Sequence, residues 1–388
     1  MVDAKLFEFG TTARIVFGAG AASEAAPAAA TMGRRALLVT GAGPDRAASL
    51  ARALEAAGVT VARFRVSGEP AIDTIAAGTA YARGEGCDVV VAVGGGSAID
   101  AGKALAAMLT NPGEPLDYLE VVGRGQPVRQ PSAPFIAVPT TAGTGSEVTR
   151  NAVLAAPERG VKASLRSPYM LPRVALVDPE LTLDLPPALT ASTGLDALTQ
   201  LIEPYISVRA NAMTDLYAVD GLRTAAEALP RAWANGADAE ARRGMCWASL
   251  LGGLALANAG LGAVHGFAAP VGGRFPAPHG AVCAALLAPA MAINVEALRQ
   301  RAPESRALAR YDEVARLLMG RSNATAADGI EWIAALCRRF EIPPLGAYGV
   351  TAADIPLLAA RAADANSMKA NPIKLTREEL EEIVGRAI

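Results

Sequence analysis

Asp88-Val-Val-Val-Ala-Val-Gly-Gly-Gly-Ser-Ala-Ile-Asp100 decides the fold. An unbroken apolar run of this length, without alternation, is what a strand covered on both faces of a parallel sheet requires. It runs straight into three glycines, which let the backbone approach a ligand that side chains would hold off. Ser97 stands where a helix N-cap would, and Asp100 three residues on gives capping-box spacing. Strand, glycine turn and helix N-terminus in that order aim backbone N–H groups at an anion, and phosphate is the expected ligand. A plain tight turn between strand and helix is the alternative.

The same texture extends in both directions. Arg35–Thr40, Val59–Val66, Pro134–Val138 and Arg173–Val177 read as further strands, and Asp45–Gly58 and Ala71–Gly84 as helices between them. A second loop, Pro139-Thr-Thr-Ala-Gly-Thr-Gly-Ser-Glu147, also follows a strand. Its hydroxyls and glycines suit ribose and nicotinamide contacts. Gly41-Ala42-Gly43 lacks the third glycine of the ordinary dinucleotide fingerprint, and no phosphate-loop GxxxxGK[ST] motif is present. From about Pro186 the chain turns helical, with Ala/Leu-rich stretches over 187–207, 211–229, 238–260 and 280–297. The fold class expected is α/β followed by all-α: a Rossmann-like parallel-sheet domain over 1–185 and a helical domain over 186–388. Ligands are expected in a cleft off the carboxyl ends of the strands.

Both histidines of the chain, His265 and His279, fall in one Gly/Pro-rich stretch fourteen residues apart. Imidazole binds transition metals and moves protons near neutral pH, so chemistry is expected there; two chance histidines are the alternative. Asp196 and Gln200 sit four apart in a helical stretch and share a face. One carboxylate and two imidazoles are a usual donor set for Fe(II) or Zn(II).

Composition excludes other classes. With 52% apolar and 19% charged residues the chain can bury a sizeable core, and a net charge of −2 shows no bias toward nucleic acid or membrane. No apolar run of about 18 residues stands out as a spanning helix, and the start lacks the shape of a signal peptide. Four well-separated cysteines, without a CxxC pair, fit a reducing cytoplasm. Cys246 and Cys283 lie in apolar helical stretches and read as core residues.

Four motifs in order, GGGSAID (94–100), PTTAGTGSE (139–147), DPEL…LPP…STGLDALTQ…EPY (178–205) and HGFAAPVGGRFPAPHG (265–280), resemble the iron-containing (group III) alcohol dehydrogenases over essentially the whole chain. The resemblance implies the dehydroquinate synthase-like fold of that family, NAD or NADP on the N-terminal domain, a divalent metal on the helical domain, and interconversion of small alcohols with aldehydes or ketones. It places Thr40, Gly41, Gly94, Gly95, Gly96, Ser97, Asp100, Thr140, Thr141, Thr144 and Ser146 on the cofactor, and Lys162 near nicotinamide and substrate. Arg166 is expected beside Lys162 if the strand bends there. The family's metal ligands, one Asp and three His, match Asp196, His265 and His279, but the fourth is Gln200. A further family histidine, used in proton relay, is here Ala269. A homodimer formed through the strand Arg14-Ile-Val-Phe17 is also implied, and Met368-Lys-Ala-Asn-Pro372 resembles a C-terminal family motif read as closing the cleft.

Two mechanisms stay open. In one, Asp196, His265 and His279 hold Fe(II) or Zn(II), with Gln200 a weak ligand. In the other no metal binds, His265 or His279 is the general acid and Lys162 supports it electrostatically. The joint loss of a ligand and a proton carrier favours the second. Arg150, Asn151, Arg166 and Arg274 near the motifs raise a maleylacetate reductase-type alternative acting on an anionic keto acid. A dehydroquinate synthase-like lyase is the alternative from another class; it wants a third histidine and a phosphate-binding basic cluster. The lack of an acid at Gly41, with Arg46 nearby and Asp45 opposing, suits NADP as well as NAD. The enzyme expected is cytoplasmic, with small-molecule partners and neither nucleic acid nor membrane.

Overall fold

The computed structural model describes residues 6–41 and 44–388. The chain divides into two compact units. One comprises Gly10–Thr141 and Gly145–Leu183; the other comprises Asp184–Ile388, Ala142–Thr144 and the described residues before Gly10.

The first unit is α/β. In chain order it contains β1 (Arg14–Phe17), α1 (Ala25–Met32), β2 (Arg35–Thr40), α2 (Pro44–Ala56), β3 (Thr60–Arg65), α3 (Ile72–Gly84), β4 (Val89–Gly94), α4 (Gly96–Thr110), the one-turn α5 (Pro115–Tyr118), β5 (Phe135–Pro139), β6 (Asn151–Ala156), β7 (Val161–Arg166) and β8 (Val174–Val177). Six strands form one sheet in the order β1-β8-β5-β4-β2-β3, with every pairing parallel. The run from 88 to 93 is its centre: all of β4 is buried between β2 and β5. Burying each valine there contributes roughly 1.5–3 kcal/mol. One core layer packs Leu37, Val39, Val90 and Ala92 against Ile99, Leu105 and Met108 of α4. The opposite layer packs Leu38, Val91, Ile136 and Leu176 against helices α1 and α2. Gly102 lets α4 lie close, since a Cβ there would stand 2.6 Å from Phe135 and 2.7 Å from Ala92.

Chain order reverses between β2 and β4, because β3 lies beyond β2 and β5 beyond β4. Such a switch point opens a crevice at the carboxyl ends of the strands. Two features differ from expectation. The segment carrying Lys162 is an antiparallel hairpin, β6–β7, set apart from the main sheet. The Ser97/Asp100 capping box does not form: Gly95 is the N-cap of α4 and no side chain caps it. The Asp100 carboxylate is drawn inward instead, accepting from Val153 N at 2.9 Å and pairing with Lys103 Nζ at 3.0 Å.

The second unit is helical: α6 (Pro187–Ile206), α7 (Ala212–Ala234), α8 (Ala239–Ala259), α9 (Ala263–Arg274), α10 (His279–Arg301), α11 (Arg306–Met319), α12 (Ala326–Arg339), α13 (Ile355–Ala363) and α14 (Arg377–Ala387). Helices α6, α7, α8 and α10 fall on the four stretches expected. The Gly/Pro-rich histidine stretch is mostly helix as well, with His265 on α9 and His279 opening α10. Contrary to the expectation of no spanning candidate, α10 is long and apolar enough to cross a membrane by composition alone. Here it is a core helix, with Ala281, Val282, Leu286, Leu287, Ala290 and Leu298 buried within the unit. Gly280 at its first turn permits a tight approach to α6, where a Cβ would meet Ser192 O at 2.6 Å. Among the described residues no disulfide forms.

Candidate active site

Nucleotide-site candidates gather at the switch point of the α/β unit. Gly41 N donates to Val93 O at 3.4 Å and Thr140 N to Gly94 O at 2.9 Å, so the carboxyl ends of β2, β4 and β5 are bound together. This brings Thr40, Gly41, Gly94, Gly95, Gly96, Ser97, Thr140 and Thr141 into one rim. Close packing explains the glycines. A Cβ on Gly94 would stand 2.6 Å from Ala98 Cβ, and one on Gly95 3.2 Å from Thr141 Cγ2. No side chain caps α4, and an uncapped helix N-terminus is suited to meeting an anion.

Other candidates are placed differently. Ser146 Oγ donates to Asp100 Oδ1, so these two engage one another in a buried network with Lys103, whose ammonium also donates to Thr149 Oγ1 at 2.8 Å. Burial lowers the Lys103 pKa against the opposing pull of Asp100 and Glu147, and burial raises Glu147 to about 7. Lys103 escaped the sequence reading, although its place three residues beyond Asp100 on one helix face was a usable signal. Thr144 belongs with the helical unit. Beside it, a Cβ on Gly143 would meet Thr193 Cβ at 2.7 Å. Lys162 on β7 is paired with Glu69 at 2.5 Å and Arg166 with Glu120 at 3.3 Å; β7 runs as a regular strand through both, without the bend that would have set the two cations side by side. Arg274 is likewise taken up by Asp354 at 3.3 Å. Ala42, Gly43 and the Asp45 and Arg46 side chains, on which the NADP argument partly rested, lie outside the described residues.

The metal-type candidates converge within the helical unit. Asp196 Oδ1 lies 3.4 Å from His265 Nε2 and 3.7 Å from His279 Nε2. Cys283 Sγ joins them, 3.6 Å from His279 Nε2 and 3.9 Å from His265 Nε2. One donor atom from each of the four residues lies within 4.8 Å of every other. Cys283, read as a core residue, is fully buried and also joins this cluster. The signal was present: His279 and Cys283 are four apart at the start of one helix, where i and i+4 share a face. Asp196 Oδ1 and Gln200 Oε1 are buried and accept no hydrogen bond. An orphaned carboxylate oxygen inside a protein is costly unless a cation meets it. Two imidazoles, a thiol and that carboxylate fit a divalent transition ion, and these residues would hold it.

The electrostatics agree with that fit. Burial works to raise the Asp196 carboxyl, but His279 and His265 outweigh it and hold the group below its ordinary value. Burial disfavours charge on both rings. Even so, Cys283 and Glu203 keep His265 well above the usual imidazole value, and Cys283 and Asp196 bring His279 to about 9. The surroundings attract positive charge.

A supporting shell fixes His265. Glu203, one turn beyond Gln200 on α6, places Oε2 2.6 Å from His265 Nδ1 and accepts from Val264 N through Oε1 at 2.8 Å. Asn371 Oδ1 accepts from Ala263 N at 3.1 Å, and Asn371 Nδ2 donates to Asn294 Oδ1 at 2.7 Å. The C-terminal Asn-Pro motif, expected to close a cleft, thus ties down the N-terminus of the helix that carries His265. Gly262 makes room, since a Cβ there would stand 2.9 Å from Asn371 Oδ1 and 3.0 Å from Glu203 Oε1. Neither Glu203 nor Asn371 was assigned a role from sequence; a buried acid seven residues after Asp196 on one helix was the available hint.

Residues 12–179 match the model of the iron-containing alcohol dehydrogenases, and residues 190–388 that of the C-terminal part of the Fe-containing alcohol dehydrogenase family. The chain belongs to the iron-containing alcohol dehydrogenase family. It is 37% identical to alcohol dehydrogenase 4 of Saccharomyces cerevisiae over 86% of this chain and 85% of the yeast protein. It is 35% identical to the NAD-dependent methanol dehydrogenase of Bacillus methanolicus, over 96% and 97% of the two chains. Among solved structures, a 1,3-propanediol oxidoreductase superposes with a TM-score of 0.91 at 35% identity, covering 99% of this chain and 100% of that one. As a family member the chain is an alcohol dehydrogenase, an oxidoreductase interconverting an alcohol and its aldehyde or ketone.

Proposed function

We propose that this iron-type alcohol dehydrogenase acts on a small, uncharged alcohol and its carbonyl partner, with a nicotinamide dinucleotide and one divalent metal. The observation that carries the reading is the meeting of the unpartnered Asp196 Oδ1 with Nε2 of His265 and of His279. When bound there, the metal supplies Lewis acidity to the substrate oxygen. The chain's own residues do the rest. Asp196, His265 and His279 converge as ligands from α6, α9 and the start of α10. Glu203 holds the His265 ring so that Nε2 faces the site. The rim of Gly41, Gly94, Gly95, Gly96, Ser97, Thr140 and Thr141 takes the nucleotide, with the diphosphate at the N-terminus of α4. Lys162, held by Glu69, is proposed as the electrostatic support on the nucleotide-binding unit. The reaction moves a hydride between C4 of the nicotinamide and the carbonyl carbon, and a proton balances the oxygen.

NAD is proposed as cofactor, in line with the NAD-dependent methanol dehydrogenase relative, and NADP alongside it because Gly41 offers no acid against a 2′-phosphate. An anionic keto acid is less favoured, because Arg166 and Arg274 already hold carboxylates. The lyase alternative gains nothing from the site. We further propose a cytoplasmic enzyme, from its cysteines without disulfides, and a homodimer built on the edge strand β1. A second reading, without metal, follows from the two Nε2 atoms facing one space: either ring could protonate the developing alkoxide.

The test is NAD(H)- and NADP(H)-linked turnover on a panel of small alcohols, aldehydes and keto acids, in paired samples with chelator and with Zn(II) or Fe(II) restored. Turnover of uncharged substrates that disappears with chelator and returns with metal is expected. Turnover indifferent to chelator establishes the second reading, and turnover confined to keto acids overturns the substrate class.

A further inference from the structure

We infer that Cys283 supplies a thiolate ligand to the metal, so that this chain's site is Asp–His–His–Cys, with Gln200 left outside the coordination sphere. The inference rests on the metal-bound reading above and goes beyond it, since neither the motifs nor the relatives' names assign this cysteine.

Geometry carries it. Four ligands around a tetrahedral ion with bonds of roughly 2.0–2.3 Å stand about 3.3–3.6 Å apart. Among the cluster's donors, Asp196 Oδ1 to the two ring nitrogens measures 3.4 and 3.7 Å, and Cys283 Sγ to the same nitrogens 3.9 and 3.6 Å. Small movements close that set on one ion. Gln200, one turn from Asp196 on α6, has a buried Oε1 without a hydrogen-bond partner, and the four other donors complete a tetrahedral set without it. Its position in the chain is that of the missing imidazole, but its chemistry is poor for the task, since a neutral amide oxygen is a weak donor to Fe(II) or Zn(II). Cys283 offers an anionic, softer donor from the same side as His279, one turn along α10.

Charge supports the assignment. The site is mostly enclosed: the side chains of Asp196 and His265 are 2% and 7% exposed and Cys283 is fully buried, while His279 is 36% exposed. A divalent ion met by one carboxylate and one thiolate is neutral overall, which reduces the penalty of burying it. Thiolate in place of imidazole also moves the preference of the site toward zinc and cobalt(II) and away from Fe(II).

The experiment uses the full-length protein, stripped by chelator and reloaded with Co(II). Wild type should show an intense near-ultraviolet thiolate-to-cobalt absorption at one equivalent, and Cys283→Ser should lose it while binding Co(II) at least about tenfold more weakly. Gln200→Ala should keep the band. X-ray absorption on the Zn(II)-loaded wild type should find one sulfur at roughly 2.3 Å, which stands even if the serine variant folds poorly. Stoichiometric Co(II) without the band, a band unchanged in Cys283→Ser, or loss of metal in Gln200→Ala alone would each overturn the assignment while leaving the metal-bound reading intact. Failure of wild type to bind any Co(II) would overturn both; continued nicotinamide-linked turnover would then identify the metal-free route.

Discussion

Glu203 Oε2 stands 2.6 Å from His265 Nδ1, and the opposite nitrogen of that ring faces Asp196 Oδ1 at 3.4 Å. A carboxylate behind a ligating histidine fixes its tautomer and strengthens it as a donor. Glu203→Gln keeps the shape and removes the charge. It should weaken Zn(II) binding about 10- to 100-fold, read by competition with a chromophoric chelator. At saturating metal much of the turnover should return, which separates positioning from catalysis. Unchanged affinity would remove Glu203 from the account.

Cofactor choice is testable at the end of β2. A Cβ on Gly41 would meet only Ala98 Cβ at 4.0 Å, an ordinary contact. Gly41→Asp should therefore fold normally and set a carboxylate against the 2′-phosphate. NADPH-linked kcat/KM is expected to fall at least about tenfold, by roughly 1.4 kcal/mol, with NADH-linked kcat/KM held or improved. An equal fall for both cofactors would place the adenosine ribose elsewhere.

Glu147 gives a pH signature. Burial raises its folded pKa to about 7 from an ordinary value of 4.5. Below about 4.5 both folded and unfolded chains hold the proton and the residue has no effect. As pH rises from there to about 7, the unfolded chain ionises first, so folded stability declines. Glu147→Gln should abolish that decline, gaining up to about 3 kcal/mol on wild type by pH 7 and little at pH 4.5. Thermal melting of both proteins across this range measures it. A pH-independent difference would contradict the buried, protonated carboxyl.

Much of this was legible in the chain because the signals were local. The run from Val89 to Val93 has one physical use, a strand buried on both faces, and the glycines after it mark the turn. Asp196, His265 and His279 were identified by residue type, although only the fold could bring α6, α9 and α10 together. What escaped were side chains whose roles depend on burial. Asp100 read as a capping residue, yet the hairpin β6–β7 and Lys103 draw its carboxylate inward. Cys283 read as core and is fully buried; only the fold shows that the imidazole one turn away makes it a candidate ligand as well. Lys162 and Arg166 share a strand face, but the extended strand keeps positions four apart from touching, and each is paired with its own acid, Glu69 and Glu120.

The central claim is that Asp196, His265 and His279 hold one metal ion on which turnover depends. Titrating the chelator-stripped enzyme with Zn(II) or Fe(II) during NAD-linked alcohol oxidation tests it most directly. The account predicts activity near zero at the start, rising linearly and breaking at one equivalent per chain, with no such rise in Asp196→Ala. Full activity in the stripped enzyme, unchanged by added metal, would contradict it.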